Sequence, residues 1–267
     1  MAKLRSFGVL SALVAGAVAL SGAAPAQAPK QDWVSVKGQV VLPKANVPAA
    51  AVGNEVVNID KAHCAAKGPL AKNVLVVNPK NDGVKNVVVW LRPDDGVNRK
   101  AALKPEQINP VLAKAPAKNH LVDQPCCQFE PRILAVRVGD TLEVKNSSPI
   151  NHNIKYDGTN AFNVNLPPGM SHKMAQPFDP SSVPVVFGCS IHPWMAGRIR
   201  TYDHPYFTIT DADGNFEIKD APAGKFRVVY WHELGFHKGK DGIFGFTETL
   251  TGPVTQLKPI TLELPAQ

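Results

Sequence analysis

The sequence predicts an all-β protein built from β-sandwich layers, and three observations support that class. Valine-rich stretches in which apolar and polar residues alternate recur along the chain, as expected for strands with one buried face. Turn-forming residues separate these stretches, since the 267 residues include 24 prolines and 20 glycines. No long stretch shows the 3.6-residue apolar period of an amphipathic helix. A chain of this size can form one large β domain or two smaller ones.

Strands are placed where apolar runs lie between turn residues. They are predicted at 34–42, 73–77, 86–91, 133–138, 141–145, 183–187, 198–202, 206–209, 216–219, 226–231 and 260–264. A further strand is expected to begin at His152. Residues 93–118 are rich in lysine and proline and lack clear periodicity, so we predict a surface loop there with one short helix near 105–112.

The first 26 residues have the pattern of a secretory signal peptide. Lys3 and Arg5 give a basic start, and residues 7–20 are apolar but short for a membrane span. Residues 24–26, Ala-Pro-Ala, offer a small-residue cleavage site. We therefore expect a periplasmic or secreted protein with no membrane span after cleavage, in an oxidising compartment.

The charge of the chain favours protein partners over nucleic acid. The formal net charge is +7, or +5 without Lys3 and Arg5, a mild excess that is compatible with electrostatic steering toward acidic partners and equally with plain solubility. The lysines are dispersed and no basic-aromatic motif accompanies them, so we expect no nucleic-acid binding.

A thiol, an imidazole and a thioether follow one another at short spacing in residues 185–198, VVFGCSIHPWMAGR. Cys189, His192 and Met195 form a C-x2-H-x2-M pattern after an apolar run, and His152 supplies a second imidazole from another predicted strand. Two nitrogens, a thiolate and a weak axial thioether form the ligand set that selects copper and suits it to one-electron transfer. Each residue alone is more often a packing residue. The prediction of a copper ion therefore depends on their combination.

This loop resembles the copper loop of the cupredoxins. Its short form, with Pro193 after the histidine, is most similar to the amicyanin type of these plastocyanin-like blue copper domains, and residues 129–146 are similar to the family's opening strands. The copper ligands that the resemblance implies are His152, Cys189, His192 and Met195. It also implies that Asn153 holds the loop through Ser190 and shields the sulfur.

The resemblance further implies where an electron would leave the protein. In cupredoxins with a similar loop the ring edge of the second histidine faces solvent. His192 is therefore expected to be solvent-facing, with redox partner proteins docking transiently on an apolar surface around it.

The two ends of the chain resemble a second family. Residues 36–41, VKGQVV, and 84–91, VKNVVVWL, are similar to the first strands of the carboxypeptidase regulatory-like, transthyretin-type β-sandwich, and residues 208–229 resemble its later part. We therefore predict one sandwich formed by 33–92 and 204–267. A cupredoxin Greek-key β-sandwich at 119–203 is inserted in it or packed on it, after the surface loop 93–118.

The remaining cysteines predict a disulfide. In an exported protein an odd thiol tends to find a partner, so Cys64 is expected to pair with Cys127, with Cys126 as the alternative half. A competing interpretation makes His63, Cys64 and one of the adjacent cysteines a second soft-metal site, although their spacing fits no zinc or haem pattern.

The sequence allows two interpretations of His204 and His232. His204 follows the strand that leaves the copper loop, and His232 precedes Glu233 at the end of another predicted strand. They are surface histidines by default, and a functional pair or an approach to the copper loop is the alternative.

Three functions are compatible with these patterns. The first is an exported blue copper protein, not an enzyme, that binds one copper ion and transfers single electrons between redox partners. The second is a copper-binding or copper-delivery module without electron transfer, and the third is a non-metal β-sandwich binding protein. An oxidase or a nitrite reductase is disfavoured because the chain contains no H-x-H or H-C-H motif that would hold additional copper.

Overall fold

A computed structural model describes residue 1, residues 31–98 and residues 101–265. The signal peptide predicted at 1–26 lies outside the described residues, except for Met1. In the described part of the chain, no helix has both the length and the apolar composition needed to cross a membrane.

The fold is all-β, which confirms the predicted class. In chain order the strands are β1 (Trp33–Val41), β2 (Val88–Pro93), β3 (Asn119–Asp123), β4 (Ile133–Arg137), β5 (Thr141–Lys145), β6 (His152–Tyr156), β7 (Phe162–Leu166), β8 (Ser171–Lys173), β9 (Val185–Gly188), β10 (Ala196–Tyr202), β11 (Phe207–Ile209), β12 (Asn215–Pro222), β13 (Gly224–His232), β14 (Gly235–Phe236), β15 (Phe246–Leu250), β16 (Val254–Gln256) and β17 (Ile260–Thr261). The helices are α1 (Lys61–Cys64) and α2 (Pro110–Ala113), and 3-10 turns occur at Lys44–Asn46, Ala49–Ala51, Pro105–Gln107 and Gly239–Gly242.

Strands from the two ends of the chain form two sheets around one core. The first sheet has the order β12-β1-β16, with β17 also paired to β1, and the second has the order β11-β2-β13-β14, with β15 paired to β13. Val36 and Phe216 of the first sheet pack with Leu91 and Tyr230 of the second. Buried and less buried residues alternate along β1 because this strand turns one face to the core.

Strands β2 and β13, at the centre of the second sheet, are apolar on both faces. Val89 and Val228 point into the core between the two sheets, whereas Val88 and Trp90 belong to a separate buried cluster on the opposite face. The uninterrupted apolar run at the start of β2 therefore reflects a strand that is covered on both sides.

The strands of residues 119–202 form two other sheets with their own core. Their orders are β4-β10-β9-β6-β7 and β3-β5-β8. Leu142 and Val144 are the buried residues of β5, and they pack in one cluster with Ile154, Phe187 and Ile199 from the larger sheet. Strand β6 pairs with β7 on one side and with β9 on the other, so the start of β6 lies beside the loop that follows β9.

A shared cluster joins the two pairs of sheets. Within the described residues, every strand pairs either inside 119–202 or among the flanking strands, yet the described residues from 31 onward form one compact unit. Ile133 and Tyr202 of the middle strands pack against Val88, Trp90 and Trp231 of the flanking sheet. This contact explains why β2 and β13 are covered on both faces.

Charged groups are buried at the same contact. The guanidinium of Arg132 donates to both carboxylate oxygens of Glu233, at 2.5 and 3.0 Å, and to Oδ1 of Asn73 at 2.8 Å. The guanidinium carbon of Arg200 lies 4.5 Å from the centre of the Trp90 ring, a cation–π distance. A buried charge requires such partners, because an unpaired one would cost several kcal/mol.

The structure differs from the predicted elements in a few places. Residues 73–77 form no strand, because Val77 makes only an isolated bridge with Val84. The strands β3, β7, β8, β14, β15 and β16 were not predicted. Several of these are short or have exposed residues on one face, so their apolar pattern is weak. Within 93–118, the described residues contain the end of β2, a 3-10 turn and α2.

His232 is fully buried, so the default prediction of a surface histidine is wrong for this residue. Its Nδ1 accepts a hydrogen bond from the amide of Leu234 at 3.2 Å. Burial, followed by the positive charge of Arg132, lowers the pKa of His232 to about 4. His204 is partly buried; its Nδ1 accepts a hydrogen bond from the amide of Tyr206 at 3.1 Å, and its ring lies beside that of Tyr202.

The lowered pKa of His232 predicts a loss of stability in mild acid. Between pH of about 6.5 and about 4 the unfolded chain takes up a proton that the folded chain refuses, so the free energy of unfolding falls as the pH falls. In the wild type, this titration should lower the free energy of unfolding by up to about 3 kcal/mol between the two pH values. We expect His232→Asn, whose side-chain oxygen can still accept from Leu234, to lose that part of the pH dependence. Urea unfolding of the metal-free protein across this pH range measures it.

The matched control is His172→Asn, a change in the partly buried histidine of strand β8. This variant should keep the pH dependence of the wild-type protein. An unchanged pH dependence in His232→Asn would show that His232 does not carry this effect.

Candidate metal centre

A seven-residue loop between β9 and β10 carries the thiol and one imidazole. It runs from Cys189 to Met195, and the amide of Cys189 donates to the carbonyl of Met195 at 3.0 Å, which closes the loop. The amide of Met195 donates to the carbonyl of His192 at 2.9 Å. These two hydrogen bonds fold the loop tightly enough to turn Cys189 and His192 toward the same interior space.

The structure brings His152, Cys189 and His192 together. His152 is the first residue of β6, and its Nδ1 lies 3.0 Å from Nδ1 of His192. Sγ of Cys189 lies 3.7 Å from the same His192 nitrogen. All three side chains are buried, and their candidate ligand atoms lie within 4.8 Å of one another. Met195 is also buried, in the same apolar cluster as Cys189.

The spacing and charge of these groups suit a metal ion. Two nitrogens bound to one tetrahedral ion at about 2 Å lie about 3.3 Å apart, close to the observed distance between the histidines. Burial, followed by the nearby imidazoles of His192 and His63, lowers the pKa of His152 to about 4. The His152 ring is therefore neutral at pH 7, with a nitrogen lone pair available for a metal. The donor set of two imidazoles and a thiol is one that copper and other soft metals accept.

Asn153 connects the loop to the neighbouring strands. Its Oδ1 accepts a hydrogen bond from the amide of Ser190 at 2.8 Å, and its backbone amide lies 3.4 Å from Sγ of Cys189. The Asn153 side-chain amide donates to the carbonyl of Val164 at 3.2 Å and also to Asn163. This backbone N–H faces the sulfur and so connects Cys189 to the start of strand β6.

Two residues around the centre were missed by the sequence analysis. Gln124 is fully buried, and its Nε2 donates to the carbonyl of Asn153 at 2.9 Å. Asp60 places a carboxylate oxygen 3.0 Å from Nε2 of His192, across 132 positions of sequence. No local pattern in the sequence marks either contact, because both depend on how distant segments pack.

The Asp60 contact corrects the prediction that His192 is solvent-facing. His192 is fully buried, with 0% of its surface exposed. Asp60 covers its Nε2 edge, and the ring of Trp194 lies 5.2 Å away between centroids. The physical reason is that the connection between β1 and β2 reaches over the loop, so the edge that was expected to face solvent is closed.

A disulfide joins Cys64 of helix α1 to Cys127, with the sulfurs 2.02 Å apart. The competing second soft-metal site, built on His63 and these cysteines, is therefore wrong because both sulfurs are bonded to each other. Cys126 is a free, exposed cysteine. The carbonyl of Cys127 accepts a hydrogen bond from the indole of Trp194 at 3.1 Å, so the disulfide lies next to the Cys189–Met195 loop.

Comparisons with known proteins give similarity over about a third of the chain. No protein-family model matches the sequence, and no curated protein matches it either. Among solved structures, the chain is similar to a purple cupredoxin from Nitrosopumilus maritimus, with 22% identity over 31% of this chain and 98% of that one, at a TM-score of 0.27. It is similar to a reduced amicyanin variant, with 20% identity over 34% of this chain and 89% of that one, at a TM-score of 0.28.

A copper-containing nitrite reductase from Thermus scotoductus SA-01 is similar as well. The identity is 26% over 38% of this chain, and the chain spans only 24% of the reductase, at a TM-score of 0.28. TM-scores at this level do not establish a family. The proposals that follow therefore rest on the side chains of the centre.

The hydrogen bond from the Ser190 amide to Asn153 predicts that Asn153 stabilises the Cys189–Met195 loop. Asn153→Ala removes the acceptor for the Ser190 amide, so we expect a loss of about 1–2 kcal/mol in the free energy of unfolding and faster hydrogen exchange of that amide. Urea unfolding and amide exchange of the metal-free protein measure the two effects.

Asn151→Ala serves as the control, because its hydrogen bond to Asn165 is solvent-exposed. We expect it to leave both quantities near their wild-type values. If the Ser190 amide exchanges at the wild-type rate in Asn153→Ala, the side chain of Asn153 does not hold the loop.

Proposed function

We propose that the protein is an exported type 1 (blue) copper protein that binds one copper ion and transfers single electrons between redox partners. The observation that carries this proposal is the convergence of Nδ1 of His152, Nδ1 of His192 and Sγ of Cys189 in a buried space. Met195, buried in the same cluster as Cys189, is the proposed axial ligand. We propose a carrier rather than an enzyme, because the proposed ligands leave no position for a substrate.

The chain's own residues would hold the ligand set in place. Copper, when bound, would supply a one-electron couple. Neutral His152 would offer a ring nitrogen without a net loss of a proton, and the Asn153 amide would donate to Sγ of Cys189. Hydrogen bonds within the loop and from Asn153 fix the backbone at Cys189, Ser190 and Met195, so the ligand geometry would change little during electron transfer.

The proposed partners are redox proteins that bind transiently near the loop. Because His192 is buried, the partner would contact neighbouring loop residues instead, namely exposed Pro193 and partly buried Ile191 and Trp194. The net charge, +7 for the whole chain and +5 without Lys3 and Arg5 of the predicted signal peptide, is compatible with an acidic partner. A periplasmic or secreted location is part of the proposal, and the disulfide supports it because such bonds persist in oxidising compartments.

We also propose that the copper domain is an insertion. Residues 119–203 would form the inserted cupredoxin sandwich, and residues 33–92 and 204–267 would form a transthyretin-like host. The separate strand pairing of the two portions supports this division. Residues 93–118 would be the connection between them.

One observation favours a second function. The Nε2 edge of His192 is covered by Asp60, which closes the expected route for an electron. A copper-binding or copper-delivery module without electron transfer is therefore the alternative. Rapid transfer of copper to an acceptor, together with slow electron self-exchange, would favour this alternative.

Copper binding predicts a strong visible absorption that depends on Cys189. We expect the purified protein to bind one copper ion and its oxidised form to show the intense thiolate-to-copper band of blue copper proteins, which ascorbate should bleach. Cys189→Ser should abolish the band because the sulfur donates the electron in that transition. Metal analysis and optical spectra measure both results.

Cys126→Ser is the matched control, because this free cysteine is exposed and outside the group of candidate ligands. It should leave the band and the copper content unchanged. A blue band that persists in Cys189→Ser would contradict the proposed ligand set. Protein that binds no copper would instead point to a non-metal β-sandwich binding protein.

A further inference from the structure

The carboxylate of Asp60 faces the ring of His192 from outside the candidate metal centre. Oδ2 of Asp60 lies 3.0 Å from Nε2 of His192, while Nδ1 of His192 faces His152 and the thiol. The two nitrogens of one buried ring are therefore engaged by different groups. Asp60 belongs to the connection between β1 and β2, outside the predicted copper domain.

The local structure leaves the Asp60 carboxylate free for this contact. Asp60 is the residue before helix α1, where an aspartate side chain usually accepts from the first amides of the helix. Here the side chain caps no amide, and only the backbone carbonyl of Asp60 accepts, from His63 and Cys64. Asp60 also has a left-handed backbone, with φ of 48° and ψ of 33°, which a non-glycine residue adopts at some cost.

Several contacts fix this connection against the middle strands. The disulfide joins Cys64, four positions after Asp60, to Cys127. Further along, the carbonyl of Ala71 accepts from Nε2 of Gln128 at 2.7 Å, and Asn73 accepts from the buried guanidinium of Arg132. A disulfide and two hydrogen bonds, all from residues that follow Asp60 in the chain, therefore hold this connection over the candidate metal centre.

We infer that Asp60 is a positioning residue of the copper centre: it accepts a hydrogen bond from Nε2 of His192 and so directs Nδ1 of that ring toward the metal. This inference rests on the proposed copper site. A metal-binding histidine commonly donates its other N–H to a carboxylate, which fixes the tautomer and the ring orientation and makes the ligand more basic. The side chain of Asp60 is 43% exposed, so water can solvate the carboxylate without reaching the buried ring.

A more basic histidine stabilises Cu(II) more than Cu(I). Removing the negative charge of Asp60 should therefore weaken Cu(II) binding more than Cu(I) binding and raise the reduction potential. Loss of an outer carboxylate of this kind typically weakens metal binding 10–100-fold. A tenfold loss confined to Cu(II) corresponds to a rise of about 59 mV for a one-electron couple.

The test compares Asp60→Asn with Asp60→Glu and Asp82→Asn in the full-length protein. Asparagine tolerates the left-handed backbone, so Asp60→Asn should fold while losing the charge. We expect it to bind Cu(II) at least tenfold more weakly in a chelator competition and to have a higher reduction potential. Asp60→Glu should recover part of both losses.

The matched control is Asp82→Asn, because Asp82 also has a left-handed backbone, with φ of 57°, in the same connection. It should behave as the wild-type protein does. If copper binds the wild type but Asp60→Asn has the same Cu(II) affinity and potential, Asp60 has no positioning role. Wild-type protein without copper would overturn the proposed function itself.

A measurement without metal tests the contact directly. In the metal-free protein at a pH of about 8, the imidazole nitrogen shifts of His192 should show a proton on Nε2 in the wild type, because that nitrogen faces the Asp60 carboxylate. Asp60→Gly, which adopts the left-handed backbone freely, should shift the ring toward a mixture of tautomers because the acceptor is gone. An unchanged tautomer in Asp60→Gly would show that another group orients the ring.

Discussion

The pairing of strand β6 with strand β9 is the constraint on which the centre depends. Lys155 pairs with Gly188 and Tyr156 with Phe187 in antiparallel register. This register brings the start of β6, with His152, alongside the end of β9, which leads into Cys189. A shift of one residue would turn His152 to the other face of its strand. The hydrogen bonds of Asn153 then bring the loop down onto this fixed edge.

Burial of the two histidines makes their surroundings as important as their positions. A buried imidazole loses its hydration, so each ring needs polar partners or a metal. His192 has such partners at both nitrogens, whereas Nε2 of His152 has none among the described residues. The connection that covers His192 contains little regular structure. It is held by the disulfide, which links residues 63 positions apart. By lowering the conformational entropy of the unfolded chain, a disulfide at this separation stabilises the fold by about 4 kcal/mol.

The sequence was informative where chemistry depends on short spacing. The C-x2-H-x2-M pattern lies in a tight loop, and the strands that alternate apolar and polar residues, such as β1 and β5, were predicted within one or two residues. Short strands such as β8 and β16 were missed because their stability comes from neighbours and not from their own pattern.

Exposure was the hardest property to predict. Asp60 reaches His192 across 132 positions, and His232 is buried near Arg132, which is far from it in the sequence. The spacing of residues within the Cys189–Met195 loop carries no information about what distant segments place over it. The position of the covering connection therefore had to come from the structure.

The buried cluster that contains Trp90, Tyr202 and Ile133 determines whether the protein can be divided into separate domains. Excising the middle strands to isolate the candidate metal centre would expose Ile133 and Tyr202 to water. The remaining flanking strands would in turn carry a bare apolar sheet face centred on Trp90. Neither piece is a self-sufficient part, so the gene segment that encodes the centre cannot be transplanted without redesigning that surface.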